Sequence, residues 1–540
     1  MGQQKAEKIF ARADSEQQMA ISDRFTDRIL PKPLQAASSE GSFVLISDMR
    51  IDADDSSMPR AKQLVEMLAP AMGRRLSVSQ SDLADNCIAL RIDPKLTELG
   101  EEGYRATISP KRVELIARTS AGIFWGMQTL RQLLPVEIFA PTAQGISWEI
   151  PCGSLEDSPR FAWRGLMLDC ARHFMPIEFL YKWIDLLALH KMNVFHWHLT
   201  EDQGWRVEIK KYPRLTEIGA WRKETLVGHA LPIRENYEYD GRRHGGFYSQ
   251  DEIRALVKYA SQRCVTIVAE IEMPGHSQAA IAAYPELGNL DEPLEVWTRW
   301  GISKNILNVE ESTIEFYQNV LAEVMELFPS RFIHIGGDEA PKDQWKASPR
   351  AQAKIEALKL KGENELQSWF IRRMDDFLTR HGRRLVGWDE ILEGGLAPGA
   401  TVMSWRGEDG GIAAAKAGHD VVMAPQKRVY FDHYQSEDHD KEPLAIGGLN
   451  RIEDVHAYEP VPAALNETEA HHVLGAQGQI WTEYIPTPKH VEYMAFPRAC
   501  ALAEVVWSAK GLRDYAQFRP RLESHLLRLK HLGVNYRPLD

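Results

Sequence analysis

The feature that most restricts how this chain can fold is an alternation that starts at Arg160: short apolar or β-branched runs separated by longer amphipathic stretches. Neighbouring parallel strands need a crossover long enough for a helix, so this order reads as repeated βα units around a parallel sheet. Eight candidate strands are present: FAWRGLMLDCA from Phe161, VFHWHL from Val194, VTIVAEIEM from Val265, RFIHIGGDE from Arg331, RRLVGWDE from Arg383, TVMSWR from Thr401, VVMAPQKRVYFD from Val421 and GAQGQIWTE from Gly475. Helical periodicity lies between most of them, at 179–190, 251–263, 313–328, 365–380 and 411–417. Eight such units favour a closed (β/α)8 TIM barrel over an open sheet.

Upstream, strand-like runs such as FVLIS at 43–47 and helical stretches ending in GIFWGMQTLRQLL from Gly122 indicate a small α+β domain. The segment 135–157 is rich in Pro, Gly and Ser and reads as a boundary. The expected division is an N-terminal extension over 1–40, a small α+β domain over 41–157, a catalytic barrel over 158–510 and a short C-terminal helical appendage over 511–540. Within the last part of the barrel and the appendage, 490–507 and 515–532 read as helical. A chain of 540 residues suits such a division better than one core.

Composition excludes several classes. The chain is 44% hydrophobic and 26% charged, and no apolar run approaches the roughly 20 residues that span a bilayer. Its formal charge of -12 is spread without a basic stripe, which disfavours nucleic acid as a partner. The five cysteines, Cys87, Cys152, Cys170, Cys264 and Cys500, are far apart and fit neither a zinc knuckle nor a disulfide framework. The first 20 residues lack the apolar core of a secretory signal, so the compartment is cytoplasmic or a signal has been removed. Oligomeric state is not legible.

Almost every candidate strand begins apolar and ends in a charged residue, histidine or tryptophan, and barrel active sites lie at C-terminal strand ends. One such ending is accounted for by helix capping. The set Arg172, His198, Glu272, Glu339, Trp388, Trp405, Asp432 and Glu483 instead points to a single cleft, and the long segment from Gln203 to Phe247 is expected to fold over it.

In HIGGDEA, His334 to Ala340, two glycines permit close approach to a ligand just before two adjacent carboxylates. Glycosidases need a carboxylic acid for the leaving oxygen and a second group to stabilise charge at the anomeric carbon. Adjacent residues cannot easily straddle a sugar ring, so Asp338 is a poor nucleophile opposite Glu339. The pair suits the substrate-assisted exception, in which a 2-acetamido oxygen attacks while the neighbouring carboxylate steers the amide and stabilises an oxazolinium ion. An acetamide must be gripped, and Trp388, Trp405 and Trp481, with Tyr430 as a hydrogen-bond donor, offer an aromatic box.

At this point the chain resembles glycoside hydrolase family 20, the β-N-acetylhexosaminidases, from about Phe161 to Trp507. The likeness runs through LDCARHF, NVFHWHLTEDQGWR, EIEMPGH, HIGGDE, GWDE, SWRG, VYFD and QGQIWTE, and GIFWGMQTLRQLL resembles the end of that family's preceding domain. The resemblance implies an exo-acting, retaining hydrolase of terminal β-linked N-acetylglucosamine or N-acetylgalactosamine. It implies Glu339 as acid then base and Asp338 as orienter of the acetamide. Arg172 would bind the 3- and 4-hydroxyls with its planar fork, Asp432 and Glu483 the outer hydroxyls, and Tyr430 the acetamide oxygen, with the three tryptophans as walls. Glu201 and His276 would form a relay behind Glu339. Many members carry aspartate where this chain has Glu201, and one more methylene alters how such a relay acts on the acid.

Two rival readings remain. His196, His198, His276, His334 and Asp338 suggest a metal-dependent amidohydrolase on the same barrel, since HxH on a strand puts both imidazoles on one face. The bland account of His196 and His198 is burial with hydrogen bonds. A non-catalytic sugar-binding barrel is the other rival. The expectation adopted is a glycan-hydrolysing enzyme with no metal and no organic cofactor.

Overall fold

The computed structural model describes residues 25–81 and 85–540. A seven-stranded sheet comes first, built from β1 (Gln35–Val44), β2 (Arg50–Ala53), β3 (Ser77–Ser79), β4 (Cys87–Ile92), β5 (Tyr104–Ile108), β6 (Arg112–Ala117) and β7 (Glu149–Asp157), in the order β1-β7-β5-β6-β4-β2-β3. The β1 to β6 half pairs antiparallel and the β6 to β3 half parallel. Helices Met58–Met72 and Ser120–Leu133 accompany it.

Two expectations need correction here. The described part of the supposed extension is not peripheral: Phe25, Ile29 and Leu30 are core residues, and β1 begins at Gln35. Its polar sequence QAASSEGS, mostly exposed, hid an edge strand whose period-2 pattern emerges only at Phe43. Residues 1–24 of that extension lie outside the described residues. The boundary-like segment 135–157 likewise ends in β7, which pairs with both β1 and β5 and so completes the sheet.

The eight expected strands close into a parallel barrel: β8 (Trp163–Asp169), β9 (Val194–His198), β10 (Thr266–Glu270), β11 (Phe332–His334), β12 (Arg384–Trp388), β13 (Thr401–Ser404), β14 (Val421–Met423) and β15 (Val473–Gly478), with β15 pairing back to β8. All seven residues of β8 are buried, as expected for a strand covered on one face by helices and on the other by barrel interior. The five expected helices occur at Ile177–Leu189, Gln250–Gln262, Glu311–Leu327, Glu363–Arg380 and Asp409–Lys416. The single helical stretch expected over 490–507 is two helices, Pro488–Ala495 and Arg498–Trp507. The break falls at Phe496, held extended (φ -105°, ψ 133°) ahead of Pro497, whose ring disfavours the helical region for the residue before it.

The small domain is welded to the bottom of the barrel by buried charge. Asp157 at the end of β7 accepts from Lys191 Nζ (2.7 Å), Tyr104 Oη (2.8 Å) and Trp507 Nε1 (2.9 Å). The last helix, Tyr515–His531, is pinned by the Arg521–Glu504 pair at 2.7 Å and by Arg528 donating to the carbonyls of Arg28 and Gln132. Among the described residues no helix is long and apolar enough to cross a membrane.

Candidate active site

At the C-terminal mouth of the barrel lies a cleft of about 320 Å³ whose lining includes Arg172, Asp338, Glu339, Trp388, Trp405, Tyr430, Asp432, Trp481 and Glu483. Nine side chains expected from sequence therefore converge from six strand ends. Glu201 and His276 sit directly behind them, while His198 and Glu272, also expected at the mouth, are buried beneath its floor.

Arg172 is placed by a short turn after β8. Asp169 accepts from the N–H groups of Ala171 (2.8 Å) and Arg172 (3.0 Å), and its other oxygen accepts from Thr482 N (3.1 Å), joining the ends of β8 and β15. Two fully buried arginines hold the carbonyls of the same turn. Arg206 donates to Cys170 O (3.1 Å) and Ala171 O (2.5 Å), and Arg222 to Arg172 O (2.6 Å). Both come from the long 203–247 segment, which thus acts as a latch under Arg172. The segment also reaches the rim, where His229 Nε2 lies 3.0 Å from the carbonyl of Ile446, a cleft residue.

The carboxylate pair follows β11 on a turn that depends on its two glycines. Gly336 has φ +67°, and a Cβ there would sit 1.7 Å from Glu272 Oε2; Gly337 has φ +91°, and its Cβ would meet Ile391 Cγ2 at 2.7 Å. Glu339 itself has φ +42°, an uncommon conformation for a non-glycine residue that recurs at functional sites. The turn sets the two carboxylates at different depths, with side-chain exposures of 11% for Asp338 and 33% for Glu339. His276, also at positive φ (+49°), backs both: its Nε2 lies 3.7 Å from Asp338 Oδ2 and 3.5 Å from Glu339 Oε2. Its Nδ1 lies 3.1 Å from Glu201 Oε2 and 3.3 Å from Asp202 Oδ2. Glu201 Oε1 in turn pairs with Arg172 Nη2 at 2.5 Å.

Trp388 and Trp481 meet at 45° with ring centres 5.7 Å apart, Tyr430 lies 6.2 Å from Trp405 and 6.5 Å from Trp481, and Arg172 covers Trp481 at 4.9 Å. The result is an aromatic box with one buried hydroxyl beside the carboxylates. Arg172 Nε, Asp338 Oδ1 and Asp432 Oδ1 are buried and make no hydrogen bond within the protein.

Burial dominates the electrostatics. It pushes the Asp338 carboxyl up to about 7, against the pull of His276 and with the help of neighbouring Glu339. Asp432 is raised well above the carboxylate range by burial and by Glu483, and Glu483 is raised by burial despite Arg172. Burial opposes charge on His276, but Glu201 and Asp202 overcome it and hold the imidazolium well above the usual histidine range. A site with closely set groups pushed in opposite directions is suited to proton transfer.

Several residues escaped the sequence reading. Glu270 lies under the box with His196, His198, His334 and Trp388 around it. Asp202 shares His276 with Glu201. Glu390 accepts from Trp405 Nε1 at 2.9 Å and is raised to about 8 by burial and by Asp338. The available signal was an acidic residue inside or next to an apolar strand, as in VAEIEM and GWDE, since a buried carboxylate needs partners.

Metal-capable groups exist. His196, Glu270 and His334 bring ligand atoms within 4.8 Å of one another, as do Glu201, Asp202 and His276. The set proposed for a metal-dependent hydrolase is nevertheless divided: among the described residues no such group joins His196 or His198 with both His276 and Asp338.

Comparison with known proteins places the chain in a family. The sequence profile of "Glycosyl hydrolase family 20, catalytic domain" matches residues 161–510, and that of its "domain 2" matches 26–158. A beta-hexosaminidase of Porphyromonas gingivalis is 44% identical over 512 residues, which cover 94% of this chain and 64% of the relative, so the chain spans less than two thirds of that protein. A beta-N-acetylhexosaminidase of Cellulomonas fimi is 30% identical, with 92% of this chain and 93% of the relative covered. Among solved structures, an exo beta-N-acetylglucosaminidase of Vibrio harveyi superposes with a TM-score of 0.83 at 35% identity, covering 97% of this chain and 80% of the other. A mutant beta-hexosaminidase of Streptomyces plicatus in complex with its product GlcNAc superposes with a TM-score of 0.82 at 30% identity, covering 97% and 99%.

Proposed function

The chain belongs to glycosyl hydrolase family 20, and we propose that it is an exo-acting β-N-acetylhexosaminidase that releases terminal β-linked N-acetylglucosamine or N-acetylgalactosamine from glycans with retention. One observation carries the reading: an adjacent carboxylate pair at unequal depth opens onto an aromatic box with a buried tyrosine hydroxyl. That combination suits an acetamide that both binds and reacts.

The terminal sugar enters with its non-reducing end against Arg172, Asp432 and Glu483. These polar groups, two buried and Glu483 half-buried, suit hydroxyls and close the cleft on that side, which favours removal of end residues over internal cleavage. The acetamide methyl lies among Trp388, Trp405 and Trp481. Asp338, the deeper carboxylate, accepts from the amide N–H, and Tyr430 Oη donates to the carbonyl oxygen. Glu339, the more exposed, protonates the glycosidic oxygen as the carbonyl oxygen attacks the anomeric carbon, breaking the C–O bond and forming an oxazolinium ion. Glu339, now the base, takes a proton from water, whose oxygen opens the ring from the face the leaving group vacated. Two inversions give retention. The attack gains from intramolecularity, and the fixed charge of Asp338 acts where positive charge develops. His276 steadies both carboxylates from behind.

The test is a rate panel of aryl β-N-acetylglucosaminide, β-N-acetylgalactosaminide and β-glucoside. Turnover of the first two without the third is expected. Comparable hydrolysis of the glucoside would overturn the part given to the acetamide, and no turnover of any would return the chain to a sugar-binding role.

A further inference from the structure

Beneath the aromatic box, one carboxylate ties its own strand to three others. Glu270, the last residue of β10, is fully buried. Its Oε1 accepts from Trp388 Nε1 on β12 at 2.8 Å and lies 2.8 Å from His334 Nδ1 on β11. Its Oε2 bonds His198 Nδ1 on β9 at 2.5 Å and lies 2.9 Å from His196 Nε2 on the same strand.

These groups are the underside of the box. The His334 ring packs edge-on to Trp388 at 4.8 Å, the His196 ring lies tilted against Trp388 at 5.9 Å, and His198 packs edge-on to Trp481 at 4.9 Å. His196 is held from its other side by Gln477 Nε2, 2.8 Å from its Nδ1. Two of the three tryptophan walls therefore rest, directly or through one imidazole, on the two oxygens of Glu270. Among the described residues the Trp388 indole N–H bonds to Glu270 alone, and that bond fixes the rotation of the ring about its long axis.

We infer that Glu270 is a positioning residue for catalysis: it sets the width of the acetamide box by anchoring Trp388 and, through His198, Trp481. The inference rests on the acetamide reading given above. Each oxygen takes one hydrogen bond, Oε1 from Trp388 Nε1 and Oε2 from His198 Nδ1, so the amide of Gln presents an N–H₂ to one of these two donors and leaves it without an acceptor. The indole then tilts and the box widens. A longer acyl chain enters more easily, and the carbonyl oxygen is held less closely to the anomeric carbon, where misplacement by about 1 Å costs on the order of 10²-fold in rate.

The experiment uses the full chain and compares aryl β-glucosaminides carrying N-acetyl and N-propionyl groups. In the wild type kcat/KM should favour the acetyl substrate clearly. Glu270→Gln should lower kcat on the acetyl substrate by roughly 10- to 10²-fold with a smaller change in KM, and should lower the acetyl-to-propionyl preference about 10-fold. A general loss of structure would depress both substrates alike and leave the preference intact. If Glu270→Gln does not yield folded protein by near-UV circular dichroism, Trp388 replaced by 3-benzothienylalanine, which removes the indole N–H and keeps the ring size, decides instead, and the same fall in preference is expected. An unchanged preference in the folded variant overturns the inference. A wild type that hydrolyses the β-glucoside equally well would instead overturn the acetamide reading itself, so the two failures are distinguishable.

Discussion

Replacing Asp338 by Asn leaves the shape of the site intact and removes one charge, so it separates steering of a substrate acetamide from direct attack on carbon. Asn keeps an oxygen able to accept from the amide N–H. What it loses is a negative charge near an oxazolinium ion, worth about 4 kcal/mol for unit charges 4 Å apart at an effective dielectric of 20. Part of that is already absent in the ground state, because burial and the neighbouring Glu339 hold the Asp338 carboxyl up at about 7. A net loss of about 3 kcal/mol, or about 10²-fold in kcat, is therefore expected. The pH dependence has a definite sign. The working form is the carboxylate, so wild-type kcat/KM falls as pH drops through the raised pKa, and the Asn variant should lose that acid limb. Stability moves the opposite way: a carboxyl whose folded pKa is raised above its unfolded value contributes stability at low pH that is lost as pH rises through about 7. Asp338→Asn should accordingly have a higher Tm than wild type at pH 8. The assays are pH profiles of kcat/KM, thermal melts, intact mass after a 2-deoxy-2-fluoro glycoside, and inhibition by a thiazoline analogue of the bicyclic intermediate, which should bind far more tightly than product. A covalent adduct on Asp338 with weak thiazoline binding would refute the reasoning, as would an unchanged acid limb in the Asn variant.

Glu339→Gln should lower turnover of natural disaccharides by 10²- to 10⁴-fold, the usual worth of a positioned acid, but much less for aryl glycosides with good leaving groups; equal losses on both would show that it is not the acid. Exhaustive dialysis against a chelator should leave kcat unchanged, whereas loss restored by zinc would revive the amidohydrolase reading. Arg206→Met strands the carbonyls of Cys170 and Ala171 that Arg206 now satisfies. It should cost about 3 kcal/mol of stability and raise KM through a loosened Arg172, read by thermal melts and steady-state kinetics.

The barrel was legible because its signals are local: apolar runs of strand length, helical periodicity between them, and chemistry placed at strand ends. The cleft residues were legible for the same reason, each standing at the end of its strand or in the loop that follows it. What was not legible depends on packing in three dimensions. Glu270 ends its strand and Glu272 stands two residues beyond it, and nothing in VAEIEM says which of the two supports the box and which lies under Gly336. Edge strand β1 was hidden because its outward residues are polar and its pairing partner is more than a hundred residues away. Likewise, the long 203–247 segment signalled a covering loop by its length, but its role as a latch depends on Arg206 and Arg222 turning back to three carbonyls, and no spacing predicts that.

Glu201 shows how far one methylene can matter. A carboxylate there must reach Arg172 on one side and His276 on the other, and Glu201 does so with separate oxygens: Oε1 to Arg172 Nη2 at 2.5 Å, and Oε2 at 3.1 Å from His276 Nδ1 while accepting from Asp202 N at 2.8 Å. Burial alone would raise its carboxyl, yet Arg172 and His276 together hold it well below the usual carboxylate range. The ionised Glu201 in turn keeps His276 protonated against its own burial, and that cation faces Asp338 and Glu339. The arginine at the hydroxyl end of the cleft and the pair at the reacting end are thus joined by an alternating run of charges, Arg172, Glu201, His276 and the carboxylates. Aspartate, with its carboxyl drawn back by about 1.5 Å, could not hold both contacts without a shift of the backbone. The identity of residue 201 therefore bears on substrate grip and on acid strength at once.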